Sequence, residues 1–256
     1  MKPFLYMGDT RLDAAASYLA GMLHRAGCAF DYLPSSAKVR SAAMLRGRKL
    51  VILSDFPADG FSDSAARALL AEVSRGCGLL MIGGWASFRG LCGHWERSPI
   101  AKALPVRMGS SDDRVNFDQA AFVRPAQAKA LRHPILAGLP WNRRPPVVGG
   151  FNRVRAKPGA SILLEVLPCR AHLSSGKPVL SPSSAQPLLV VSSFGAGRTA
   201  ALAVDAAPHW VGPLVDWGSA RVKARAPGAN EVEVGSSYAR FLPQLIRWTA
   251  GTGCAE

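Results

Sequence analysis

The sequence predicts an α/β protein with a mostly parallel sheet and one late antiparallel hairpin. Short unbroken apolar runs recur between Phe4 and Ile82, and stretches with helical spacing separate them. Two later apolar runs flank a glycine-containing turn, the signature of neighbouring antiparallel strands. Strands joined by helices imply crossovers and a parallel sheet, and runs apolar at every position suit strands covered on both faces.

Phe4-Leu5-Tyr6-Met7 is the first strand, ending at Gly8-Asp9-Thr10. Leu12, Ala15, Ala16, Leu19, Met22, Leu23 and Ala26 then repeat at helical spacing, and Gly27 supplies a stop. Phe30 to Leu33 is a second strand ended by Pro34, and Leu50-Val51-Ile52-Leu53 is a third, ending at Ser54-Asp55. Ser62 or Ser64 can cap a helix whose inward face is Ala66, Leu69, Leu70 and Val73, and Gly76 closes it. Gly78 to Ile82 is the fourth strand.

From Gly83 to about Pro158, glycine, proline and charge interrupt every pattern, so this stretch reads as mostly loops, with one short strand at Phe151 to Val154. Order returns at Ile162 to Val166, Leu188 to Val191 and Thr199 to Val204. Ser192 to Arg198 turns between the last two. Residues 218–235 read as a mobile loop, and a helix from about Ser237 to Ala250 faces inward through Phe241, Leu242, Leu245 and Trp248. Pro243 in that helix fits near the first turn or at a kink. No repeat or linker divides the chain, so residues 1–256 read as one domain.

The 256 residues include 48% hydrophobic residues and no apolar run long enough for a membrane span. The opening Met1-Lys2-Pro3 lacks the features of a signal peptide, which makes the cytoplasm the expected location. Five cysteines without a Cys-x-x-Cys argue against a disulfide framework or a zinc site, and no cofactor is expected. Residues 1–118 hold 15 basic and 11 acidic residues, against 16 and 6 in residues 119–256. Arg143-Arg144, Arg153, Arg155, Lys157, Arg221, Lys223 and Arg225 could form one positive face for an acidic protein partner or nucleic acid. No aromatic residues interleave with them, which argues against single-stranded nucleic acid.

Ligands of open parallel sheets bind at the carboxyl ends of the strands. Here those ends carry Asp9 and Thr10, Asp55, the turn Gly83-Gly84-Trp85 with Ser87, and Asp205 to His209. One cleft should therefore collect Asp9, Asp55, Gly84, Trp85 and His209. His209 could serve as a general base oriented by Asp205 or Asp55, with Asp112 or Asp113 giving an acid or ligand contact. Asp or Ser after a strand can equally be no more than a cap for the next helix. Cys92-Gly93-His94 offers soft ligands but too few for a metal site.

The ordered set Gly8-Asp9-Thr10, Leu53-Ser54-Asp55, Leu80 to Phe88, Leu104-Pro105-Val106, Asp112-Asp113-Arg114 and His133 to Leu139 resembles one family, extended by Phe194 to Arg198 and Asp205 to Trp210. The chain is similar to the putative glutamine amidotransferase-like family, within the class I glutamine amidotransferase-like superfamily, from about residue 4 to about residue 250. The resemblance implies a flavodoxin-like, three-layer α/β/α sandwich. It places Gly83-Gly84 where the superfamily keeps its nucleophile elbow, and His209 at the catalytic histidine. A glutaminase needs a cysteine in that elbow, because a thiolate attacks the amide while backbone N–H groups hold the oxyanion. Glycines stand there instead, and neither Cys77 nor Cys92 matches the position; Cys92 or Ser87 would have to substitute. The expectation is a pseudoenzyme that binds a small polar ligand, with an acidic protein partner or a homo-oligomer as its further association, without ordinary glutaminase activity. The alternatives are different chemistry based on His209, or a basic binding module.

Overall fold

A computed structural model describes residues 1–119 and 121–252, without the side chains of His209 and Val211. The apolar runs become β1 (Phe4–Gly8), β2 (Phe30–Leu33), β3 (Leu50–Ser54) and β4 (Gly78–Ile82). All residues of β1, β3 and β4 are buried, as expected of strands covered on both faces. Helix α1 (Ala16–Arg25) joins β1 to β2, and α2 (Asp63–Ser74) joins β3 to β4. Ser62 Oγ accepts a hydrogen bond from Ala65 N at 3.2 Å, so the cap that starts α2 is the earlier of the two serines.

The stretch expected to be loops carries short pairings: β5 (Val106–Arg107), β6 (Arg114–Asn116), β7 (Ala121–Pro125), β8 (Gly150–Asn152) and β9 (Arg155–Ala156). They pair β5 with β9 and β6 with β8, over separations that leave no local periodicity to read. Downstream lie β10 (Ser161–Ser174), β11 (Lys177–Pro182), β12 (Gln186–Phe194) and β13 (Gly197–Leu202). A nine-stranded sheet among the described residues runs β11-β10-β12-β13-β4-β3-β1-β2, with β7 also on β10.

The five contiguous strands from β2 to β13 are mutually parallel. Beyond β13 the pairing is antiparallel, and β12 to β13 is the hairpin expected from the glycine turn. Strand β10 continues well past Val166 into an exposed arm with β11, whose Leu173 and Leu180 stand in solvent. A short helix α3 (Pro208–Val211) follows β13.

Residues 218–235, expected to be mobile, hold a second hairpin of β14 (Arg221–Ala224) and β15 (Val232–Gly235). Val232 and Val234 are buried against the rest of the molecule, and that contact fixes the segment. The last helix α4 (Ser236–Thr249) keeps Pro243 in its interior rather than near its start. Phe241, Leu242, Leu245 and Ile246 bury its inner face completely, and this packing outweighs the lost backbone hydrogen bond.

Candidate functional site at the carboxyl ends of the strands

The parallel half of the sheet directs the ends of β1, β3, β4 and β13 to one edge, where backbone and side chains knit their loops together. Asp9, Thr10 and Asp55 all adopt positive φ, at 50°, 63° and 53°. Three such non-glycine residues at adjacent strand ends mark stored strain, which surrounding bonds must hold. Ser35 Oγ accepts from Thr10 N at 3.0 Å and donates to Asp55 O at 2.7 Å. Tyr32 Oη donates to Gly8 O at 2.8 Å.

The glycine turn after β4 is packed from both sides. Gly84 has φ of 151°, and a Cβ built on it would lie 2.5 Å from Asp55 Oδ1. A Cβ on Gly83 would meet Val204 N at 2.6 Å and Asn152 Oδ1 at 2.7 Å. The turn thus has no room for a side chain at either glycine. Asp55 Oδ1 accepts from Ala86 N, while Ser87 Oγ accepts from Asp55 N at 2.9 Å. Ser87 is buried, and its hydroxyl ties the β3 loop to the elbow.

Asn152, wholly buried on β8, joins the elbow to the next layer. Its amide oxygen accepts from Gly84 N at 2.9 Å, and its NH₂ donates to Gly84 O at 3.1 Å and Asp113 Oδ1 at 2.8 Å. Asp113 also accepts from the N–H groups of Arg89 and Gly90, both at 3.0 Å. Burial nevertheless holds the Asp113 carboxyl above its usual range.

Below the elbow lies a buried acid and phenol group. Tyr6 Oη donates to Asp9 Oδ2, and Tyr238 Oη donates to Ala206 O at 2.8 Å. Burial first, then the nearby Asp205, hold the Asp9 carboxyl well above the usual carboxylate range, with Asp55 adding to the effect. Burial, aided by Asp205 and Asp9, also raises the Tyr238 phenol. Asp205 Oδ1 accepts from Ala207 N at 2.9 Å, a local turn of the kind that starts a helix.

Exposure divides the expected site residues into two sets. Asp9, Gly83, Gly84, Ser87, Asp113 and Asp205 are buried and bonded to the protein itself. Thr10, Trp85 and Asp112 are exposed and Asp55 is partly so. Trp85 is 51% exposed, whereas Trp210 is buried with its indole N–H on Asn116 Oδ1 at 2.6 Å. The Arg114 guanidinium lies 4.6 Å from the Trp85 ring centre and pairs with Asp112 at 2.6 Å. Cys92 is exposed beside Trp85 O, and burial of its sulfur followed by the Asp55 charge push its thiol up. His209 falls on α3, and its side chain lies outside the described residues.

The basic residues expected to form one positive face in the second half differ in their surroundings. Arg221 pairs with Asp216 and Glu233, Lys223 with Glu231, and Lys157 Nζ donates to Ala101 O at 2.7 Å. Arg153 and Arg155 instead line a cavity of about 400 Å³ with Arg107, Asp112, Asp113 and Arg114, against the rim of the elbow. A larger cavity of about 920 Å³ sits near Arg198 and Trp248, at the other end of β13. Among the described residues, no cluster of three His, Cys, Asp or Glu could hold a metal ion, and no helix is long and apolar enough to cross a membrane.

Asn152, Tyr6, Tyr238 and Arg107 were not singled out by sequence. Asn152 carried a signal, as a lone amide in the otherwise apolar and basic run Phe151 to Val154, where strands seldom place asparagine. The two tyrosines sit among apolar neighbours and read as core. Arg107 gains its place only through pairing with a strand about fifty residues away, from register Arg107 to Arg155.

The parallel strands of the mixed α/β sheet thus end in a glycine turn and a set of carboxyl groups. The chain belongs to the family described as putative glutamine amidotransferase, whose family model matches residues 1–223. No curated protein matches it. The cytoplasmic protein STM3548 from Salmonella typhimurium is 22% identical with a TM-score of 0.72, covering 97% of this chain and 99% of that one. The cytoplasmic protein STM1381 from Salmonella typhimurium LT2 is 22% identical with a TM-score of 0.73, covering 96% and 98%. The cold-adapted beta-galactosidase from Rahnella sp. R3 is 13% identical with a TM-score of 0.51, and 97% of this chain covers 31% of it. At these identities the likeness is one of fold.

Proposed function

We propose that this protein is a glutamine amidotransferase-like pseudoenzyme that binds a small polar ligand at the rim of the elbow and does not carry out ordinary glutamine hydrolysis. The observation that carries the reading is the packing of the two elbow glycines. A nucleophilic side chain at position 84 would start 2.5 Å from Asp55 Oδ1, and one at position 83 would start 2.6 Å from Val204 N. The backbone has closed around Gly83 and the Asp55 side chain around Gly84, so the turn cannot present a thiol without moving the β13 loop or the Asp55 side chain from its bond to Ala86 N.

Two further features support it. Cys92 is the exposed thiol nearest the elbow, yet its surroundings raise its pKa, whereas a nucleophilic cysteine needs its thiolate favoured. Ser87 spends its hydroxyl as an acceptor for Asp55 N, inside the protein. The groups left facing solvent are Thr10, Asp55, Trp85, Asp112 and Arg114, a set suited to binding through charge, hydrogen bonds and one aromatic face. The same reading takes the chain as one three-layer domain acting in the cytoplasm, as the names of the two Salmonella proteins say of them.

Incubation of the purified protein with glutamine, with released ammonia measured against a blank, tests the proposal. The expected result is no release above the blank for the native protein or Cys92→Ala. Robust release that Cys92→Ala abolishes would show that a displaced thiol performs the reaction and would overturn the reading.

A further inference from the structure

The rim cavity gathers the basic residues Arg107, Arg114, Arg153 and Arg155 around one space. Arg107 and Arg155 are direct partners across the antiparallel pair of β5 and β9. Such partners have Cβ atoms about 4.5–5.5 Å apart, and like charges placed so are destabilising. Arg153 lies two residues before Arg155; the intervening Val154 is buried and both arginines are exposed, so they share the outward side. Among the described residues, no carboxylate forms an ion pair with Arg107, Arg153 or Arg155.

The acids that line the cavity are already engaged. Asp112 holds Arg114, whose Nε lies 3.0 Å and whose Nη2 lies 2.6 Å from its carboxylate oxygens. Asp113 is occupied by Asn152 and two backbone N–H groups. The contrast with the hairpin of β14 and β15 is direct, because there Arg221 and Lys223 each have an acidic partner. Arg107 also bears on Lys157, whose amine is held down by burial and then by that nearby charge. Three uncompensated guanidinium groups around one cavity are stable when an anion joins them.

We infer that the cavity lined by Arg107, Arg153 and Arg155 binds the phosphoryl group of a small phosphorylated molecule. Three guanidinium forks offer more N–H donors and more charge than one carboxylate can use, and they suit a dianionic tetrahedral group. The volume of about 400 Å³ accommodates a metabolite and is too small for a folded partner. The rest of that molecule would extend past Arg114 toward Trp85 and Asp55, which deepens the ligand-binding reading proposed above.

The test measures melting temperature and calorimetric affinity with inorganic phosphate, AMP, glucose 6-phosphate, a single-stranded oligonucleotide and glutamate, at one ionic strength set with sodium chloride. Native protein, Arg107→Gln, Arg153→Gln and Arg155→Gln are compared with the control Arg143→Gln/Arg144→Gln, whose arginines lie outside the cavity. Phosphate should raise the melting temperature and glutamate should not. Each cavity variant should weaken phosphate binding about tenfold, the loss of one charge-assisted contact, while the control keeps it. AMP binding tighter than glucose 6-phosphate would identify a nucleotide as the source, and the reverse a sugar phosphate; either supports the proposal. Without phosphate, Arg107→Gln should melt no lower than the native protein, because it relieves the repulsion with Arg155. A phosphate effect that survives all three substitutions, an equal effect of glutamate, or far tighter binding of a single-stranded oligonucleotide than of AMP would overturn it. Absence of phosphate binding would leave the ammonia result untouched, so the two readings fail separately.

Discussion

The floor of the cleft and its rim are built from the same kinds of residue and treat them oppositely. On the floor, Asp9, Asp113 and Asp205 are buried and hydrogen-bonded within the protein, and burial raises the carboxyls of Asp9 and Asp113. At the rim, Asp112 and Arg114 lie near solvent, and burial is too slight to outweigh their pairing, which holds the Asp112 carboxyl below its usual range. The difference teaches that polar residues at strand ends need not be ligand contacts. Those on the floor fix the shape of the turn, and those at the rim face solvent.

The largest test of this contrast is Gly84→Ala. With a positive φ and a Cβ driven into Asp55, strain and overpacking should together cost about 3 kcal/mol, read from urea denaturation. A loss below about 1 kcal/mol would mean that the floor yields easily and that the elbow could admit a nucleophile. Next comes Asn152→Ala, which strands the N–H and C=O of Gly84 inside the protein and removes one of the two donors to Asp113 Oδ1. An unsatisfied buried group costs about 1–3 kcal/mol, and the loss should fall near the top of that range.

Asp9→Asn should act through pH. Because the folded carboxyl holds its proton above the ordinary aspartate range, its contribution is fully present below that range and is lost as pH rises through the folded value. Asparagine keeps an acceptor for Tyr6 and cannot ionise. The variant should therefore show a flatter fall in stability with rising pH than the native protein, measured as urea midpoints across a pH series. An unchanged slope would place the ionised form on the floor. At the rim, Trp85→Ala should cost only about 0.5–1 kcal/mol, the value of an exposed cation–π contact with Arg114, while weakening ligand binding.

Much of the fold was legible because its parallel half rests on local patterns. Leu50 to Leu53 and Gly78 to Ile82 are apolar at every position, and each became a strand within one residue of its expected bounds. Of the short strands between Val106 and Ala156 only β8 was legible, beside the expected strand at Phe151 to Val154; β5, β6 and β9 pair two or three residues across a long separation and have no period of their own, and β7 takes its place only by pairing with β10. The β14 and β15 hairpin was missed for another reason. Its charged outer positions, Arg221, Lys223 and Glu233, drew attention from the alternation with Val222, Val232 and Val234 beneath them.

The same division holds for the candidate site. Strand ends can be found from sequence, so Asp9, Asp55, Gly83 and Asp205 were all named. Burial cannot be read from the strand end alone, because it depends on which loop closes over it. Asn152 shows this most clearly, as it reaches the elbow from a strand 68 residues further along the chain. Only the assembled sheet separates the residues that shape the turn from those that face solvent.

The central claim is that the elbow offers no nucleophile. Treatment of the native protein with a diazoketone analogue of glutamine, followed by peptide mass spectrometry, tests it most directly, since such a reagent alkylates a thiolate or hydroxyl activated for attack on the amide. The account predicts an unmodified protein, with Cys92 and Ser87 peptides at their native masses. Stoichiometric modification of Cys92 or Ser87, prevented by excess glutamine, would contradict it.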